Sequence, residues 1–495
     1  MKFGRTGFAA LALIVVAVLA SRDAAASCTS DSTPITDTAT GFIIGATLID
    51  AAPCGEYLTA RSRFAKVCLD SSDASTCEEV LVSVPYARHM PTSANVHAVV
   101  VLFAGGSGET SLRPDICIQD SKPYVFPPST TPNAPCTKPV GLTQTGKNFL
   151  VRSAQLIADA GFKVLTIARP SPVPGEDIGK CGLTTECYDL YRMSQRHAVD
   201  IAAIIQQENQ AVRPVFLVGT SRGAESAVAQ NALGSGILLS SPVTSTTSGL
   251  KSTSSCNGDH RPFVDDCFYS QLQPAGVTVP VQILMHLEDP DTVHHPACSV
   301  ARYADAQTLA TDLTNNGNGG SGLSVNLVSV PGAAQPNGGF EVVDKTTGVV
   351  VDACGPESFH GFLGMETIAA KRITAAMHQM LTSIKTSFGA DDAPVSTNPT
   401  LTLTVSSAGP NTFTADLSTS AIDANGDALT FALPGGATSA RGAALSFSSA
   451  ASILYDGSSF ATLDPGTFRD SFAYVTSDSK GRKSVGIVRV TVTVQ

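Results

Sequence analysis

Between residues 96 and 385 the chain alternates between two apolar patterns. Short unbroken runs, "VHAVVVLFAGGSGE", "KVLTIARP", "PVFLVGTS", "GILLSSPV", "VQILMHLED" and "VNLVSVPG", show no polar alternation, so these strands are covered on both faces. Between them, "NFLVRSAQLIADAGF", "YRMSQRHAVDIAAIIQQENQ", "GAESAVAQNAL" and "METIAAKRITAAMHQMLTSI" carry apolar residues at helical spacing. Strands separated by helices predict a mostly parallel sheet with helices on both faces, a three-layer α/β domain. Residues 27–95 are poorly patterned, with one strand expected at "EEVLVSVPYA".

The pattern changes at "TSFGADDAPVSTNPT", read as a linker over 386–399. Beyond it, "TLTLTVSS", "NTFTADLS", "DALTFALP", "SFAYVTSD" and "VGIVRVTVTV" predict short strands and a small β-sandwich over 400–495. The Asn-Gly in "DANGDAL" predicts a hairpin.

The start of the chain has Lys2 and Arg5, an apolar run over 8–20, then Ala24-Ala25-Ala26. This is the pattern of a secretory signal peptide over 1–26. The run is too short to span a bilayer, which takes about 20 residues, and no later run is long enough. All 12 cysteines lie between Cys28 and Cys354, as in an exported, disulfide-bonded chain. Lipidation of Cys28 stays open as an alternative, although it would leave an odd count. The net charge of −10 without basic clusters argues against nucleic acid as a partner.

Candidate chemistry centres on "VGTSRGAES", where Gly219, Thr220, Ser221, Arg222 and Gly223 form a G-x-S-x-G between an apolar strand and a helix. A serine on such an elbow is held exposed for nucleophilic attack, and the amide of the next residue, here Arg222, faces the developing oxyanion. Gly105, Gly106 and Ser107 end an earlier strand, and Gly106 is the expected second donor. His360 in "ESFHGF" precedes the last helix of the α/β region and suits a general base. The acid that orients it should follow a strand between the two. Asp289 is the first choice and Asp291 the second, with Glu288 beside them. His286, Asp289, His294 and His295 fit no common zinc spacing, so no metal is expected.

With the order Ser221, Asp289, His360, residues 96–385 resemble the α/β-hydrolase superfamily of secreted serine esterases and lipases. The resemblance implies a Ser-His-Asp triad, an acyl-enzyme intermediate and no cofactor. The implied substrate is an ester-containing small molecule, lipid or polymer. It also suggests a bridge from Cys298 to Cys354, as in secreted cutinase-like enzymes, tying the acid loop to the histidine loop. Cys117–Cys136, Cys181–Cys187 and Cys256–Cys267 are further possible pairs, and other connectivities stay open. The chain departs from the family at Ala104-Gly105, where His-Gly is usual. Residues 400–495 resemble cadherin-like or immunoglobulin-like modules. Asp423, Asn425 and Asp427 there read as a polar turn more readily than as a calcium loop, whose ligand set they leave incomplete. The chain has no Trp, so the module reads as a spacer or stabiliser. A peptidase or amidase, a polyester depolymerase and a non-catalytic adhesion protein are the alternatives to a carboxylic ester hydrolase.

Overall fold

The computed structural model describes residues 32–36, 38, 43–48, 55–68, 77–106, 116–119, 122–125, 148–170, 191–242, 276–287, 289, 303–330, 341–344, 359–388, 392–407 and 409–495. The expected signal peptide lies outside the described residues. So do Ser107, Glu288, Asp291, His294, His295, Cys298 and Cys354.

Eight strands make the main sheet: β1 (Glu56–Cys68), β2 (Cys77–His89), β3 (Ala98–Phe103), β4 (Phe162–Ile167), β5 (Val215–Thr220), β6 (Gly236–Ser240), β7 (Val281–His286) and β8 (Val325–Val330). Their spatial order is β8-β7-β6-β5-β3-β4-β2-β1. β2 runs antiparallel to β1 and β4, and the other pairings are parallel. This is the mostly parallel, three-layer α/β architecture that the alternating pattern predicts. The unbroken apolar strands follow from burial on both faces. In β3, Ala98, Val100 and Leu102 belong to one core, and Val99, Val101 and Phe103 to the other.

Helices α1 (Phe149–Arg152), α2 (Ala154–Asp159) and α6 (Glu366–Phe388) cover one face. On the other lie α3 (Gln195–Glu208), α4 (Gly223–Ala229) and α5 (Tyr303–Gly320), whose helical run breaks at Gly317. α1 and α2 were expected as one helix; Ser153, at φ −97° and ψ 0°, separates them. β1, α5 and a small sheet of Ser32–Thr36, Ile43–Leu48 and Glu341–Asp344 went unread in the sequence. Also, α6 runs to Phe388, into the expected linker.

The C-terminal region is an all-β sandwich. One sheet holds β9 (Thr400–Val405), β15 (Lys483–Val494), β14 (Gly466–Ser477) and β11 (Thr430–Ala432) in that order. The other holds β10 (Thr412–Asp416), β13 (Ser452–Asp456) and β12 (Ala444–Ser449). The Asn425-Gly426 turn does not close a hairpin. It leads from Ala421–Ile422, paired with Val395–Ser396, to β11, paired with β14. The Asp423 carboxylate accepts from the Asn425 and Asp427 amides at 2.9 and 3.1 Å, a side-chain turn that lets the two strands join different sheets.

The sandwich packs onto the α/β region. Phe472 and Tyr474 of β14 point into the sandwich core, whereas Ala473 and Val475, with Val485 and Ile487 of β15, join the main core on the α3 side. Helix α3 is therefore covered by the main sheet and by the sandwich, which explains its burial almost all round.

That burial includes a charge. Asp200 of α3 accepts from Arg63 Nε at 3.0 Å, from Arg63 Nη2 at 3.3 Å, from Tyr191 at 2.7 Å and from Ser62. Ser62 and Arg63 sit where the β1–β2 register shifts between Arg61 and Phe64. Such a bulge re-aims side chains, here towards Asp200. Replacing Arg63 by Ala strands the carboxylate and should destabilise the fold by about 3–5 kcal/mol, measured by urea denaturation.

Candidate active site

Ser221 and Gly105 follow β5 and β3 at the carboxyl edge of the sheet, and Asp289, which holds His360, follows β7 at that same edge. Ser221 follows β5 and precedes α4 with φ +52°, in the left-handed region. A non-glycine residue there costs about 1–3 kcal/mol and calls for surroundings that enforce it. They do. A Cβ on Gly219 would lie 2.2 Å from the Gly223 carbonyl oxygen, and one on Gly223 would lie 2.2 Å from that of Phe103. Both positions accept glycine alone, so strand, turn and helix cross at the closest possible approach. The Ser221 amide donates to Ser240 O at 3.0 Å, and Ala224 N donates to Ser221 O at 3.1 Å. Thr220 is buried, whereas Ser221 and Arg222 stay half-exposed.

Gly105 lies against this elbow. A Cβ there would come within 2.9 Å of Ser221 Cβ and 3.0 Å of Thr220 O. Gly106 turns with φ +56°, and a Cβ there would meet none of the described residues, so the end of β3 offers its backbone next to the serine. Asn148, which caps α1 by accepting from Leu150 N at 3.2 Å, closes the other side of the turn.

His360 sits in the single helical turn Phe359–Gly361, and Asp289 sits three residues beyond β7. Both are buried. His360 Nδ1 lies 3.2 Å from Asp289 Oδ1 and 3.1 Å from Oδ2. The carboxylate keeps the proton on Nδ1, which leaves the Nε2 lone pair to act as a base. Burial pulls the imidazole pKa down, but the charge and hydrogen bond of Asp289 outweigh it, and the net shift is upward from 6.5.

The histidine loop has its own anchor, unread in the sequence. The buried Arg152 of α1 donates to Gly361 O, and its Nε donates to Glu366 Oε1 at 2.7 Å. Glu366 also accepts from Gly364 N at 3.2 Å. Phe362, at φ +52°, packs on Phe149 at 5.0 Å between ring centres. His197 of α3 lies between Phe103 and Tyr191, its pKa pushed well down by burial and by Arg192 and Arg63. Among the described residues, Asp423, Asp427 and Asp478 are the carboxylates grouped closely enough to hold a cation, within 4.8 Å. Asp478 is already paired with Arg482 at 2.9 Å.

No protein-family model and no curated protein matches the sequence. The chain is distantly similar to several solved structures. An α/β serine hydrolase homologue from Coxiella burnetii is 12% identical over 60% of this chain and 92% of its own, with a TM-score of 0.31. A Pyrococcus furiosus esterase is 8% identical over 66% and 93%, at 0.31. The acylaminoacyl peptidase of Pyrococcus horikoshii is 14% identical over 65%, at 0.31, and this chain spans only 41% of its length. Likeness this distant carries nothing about substrate.

The imidazole must be neutral to take a proton, so turnover should rise with pH through an apparent pKa above 6.5, the ordinary value. In Asp289→Asn the charge is gone and burial remains. The acidic limb should then move below the ordinary value, and kcat should fall by about 10⁴-fold. A pH–rate profile of both proteins checks this.

Proposed function

We propose that the chain is an exported serine hydrolase that cleaves carboxylic esters. The observation that carries this reading is the His360–Asp289 pair, at 3.1 Å, at the same sheet edge as a serine held at positive φ. In this reading Ser221 Oγ attacks the acyl carbon while His360 Nε2 takes its proton. Asp289 stabilises the imidazolium that forms, and the amides of Gly106 and Arg222 stabilise the tetrahedral oxyanion. Collapse expels the alcohol, which takes the proton back from His360. Water then enters by the same base and frees the acid from the serine. Export rests on the N-terminal pattern and the cysteine content, and the sandwich reads as a cadherin-like or immunoglobulin-like module.

Hydrolysis of p-nitrophenyl esters from acetate to long acyl chains, by the wild type and by Ser221→Ala, tests the reading. Wild-type turnover should fall at least 10³-fold in the variant, leaving the residual that oxyanion binding alone supports. A fluorophosphonate should label Ser221 and nothing in the variant. Cleavage of anilides with no cleavage of esters would replace the esterase by an amidase.

A further inference from the structure

Oxyanion donors act only when held to about half an ångström. The Gly105–Gly106 turn is held from below by one buried side chain. Arg192, 1% exposed, donates from Nη2 to Ala104 O and to Gly106 O, both at 3.0 Å. The peptide carrying the Gly106 N–H lies between these two pinned carbonyls and cannot turn freely. No sequence motif marks Arg192, because its partners are backbone atoms remote in the chain.

The backbone that carries Arg192 is held in turn. Gln230 closes α4, the helix that starts at the elbow, and its Nε2 donates to Arg192 O at 3.0 Å and Ser194 O at 3.2 Å. One turn of the sandwich, Leu433–Gly436, reaches the end of α4, Ser194, Gln195 and Gln230. Gly435 N donates to Ala229 O, the end of α4, at 3.3 Å. Pro434 O accepts from Gln195 Nε2, whose Oε1 accepts from Ala473 N at 2.9 Å. Gly435 has φ +65°, and a Cβ there would lie 2.5 Å from Ser194 O and 2.8 Å from Gln230 Nε2 and Oε1. The contact therefore requires glycine twice over, by conformation and by space.

We propose that the C-terminal sandwich is a working part of the active site. Its Leu433–Gly436 turn sets the 192–195 segment and the end of α4, so that Arg192 is a positioning residue for the oxyanion turn. The inference rests on the reading of Ser221 and Gly106 given above. It assigns the module a part in turnover beyond that of a spacer.

Four variants test it. Arg192→Met removes the donors, and Arg192→Lys returns a cation with N–H groups. Gly435→Ala pushes on Ser194 and Gln230 from the sandwich side. Arg441→Ala breaks a different link between sandwich and sheet, the Arg441–Glu79 ion pair. Arg192→Met and Gly435→Ala should lower kcat by ~10- to 100-fold, less than the ~10²–10³ of deleting a donor outright, with KM within about twofold. Arg192→Lys should recover part of the loss. Arg441→Ala should lower the melting temperature and leave kcat unchanged. Equal kcat in wild type, Arg192→Met and Gly435→Ala would overturn the inference, as would a loss in Arg441→Ala matching that in Gly435→Ala.

A second readout needs no turnover. Amide hydrogen exchange over residues 98–106 should rise in Arg192→Met and Gly435→Ala and stay at the wild-type level in Arg441→Ala. Unchanged exchange in Gly435→Ala would sink the proposal even for a protein that hydrolyses nothing. A wild type without esterase activity but with the expected exchange pattern would refute the esterase and retain the coupling.

Discussion

The arrangement of the candidate site depends on how closely α4 can approach β3 and β5. Gly219 meets Gly223, and Gly223 meets the Phe103 carbonyl, at distances that leave no room for a single carbon atom. That approach forces Ser221 into the left-handed region and brings Gly105 against it. It also aims the start of α4 at the space over the sheet edge. A helix packed one ångström further out would relax the serine and separate it from the end of β3. The steric demand at two glycines thus becomes a geometric demand on the whole site.

The sequence made part of this legible for a physical reason. β3 to β7 are buried almost throughout, so apolar residues dominate them, and such runs stand out in a chain with 15% charged residues. The elbow was readable because its glycines answer a local steric need, and His360 because it stands just before a helix. β1 was not readable. It is an edge strand of the sheet and alternates polar with apolar residues, and a bulge at Ser62–Arg63 interrupts its period. α5 was missed because Ala306, Leu309 and Leu313 are its buried anchors amid Thr, Asn and Gly. The Asn-Gly signal was real as a turn and misleading as a hairpin, since pairing partners are chosen by the sheets and not by the turn.

The supports of the site were invisible for a different reason. Arg152 and Arg192 each hold a loop by donating to main-chain carbonyls far away in sequence. A carbonyl belongs to every residue, so no side-chain pattern advertises such a bond. The same holds at the junction with the sandwich, where Gln195, Gln206 and Lys483 all bond to backbone oxygens. Buried long polar side chains in otherwise apolar surroundings are the nearest thing to a signature, since each must find a partner.

The burial of α3 from two sides also bears on the order in which the chain can fold. One side of this helix meets the main sheet, made largely from segments that precede it or closely follow it. The other side is completed by β14 and β15, which lie far downstream of it in the chain. At about 5–20 residues per second, the ribosome exposes α3 well before its second cover exists. Without β14 and β15 in place, the α/β region would carry a bare apolar flank on α3, open to chaperones or to a second chain.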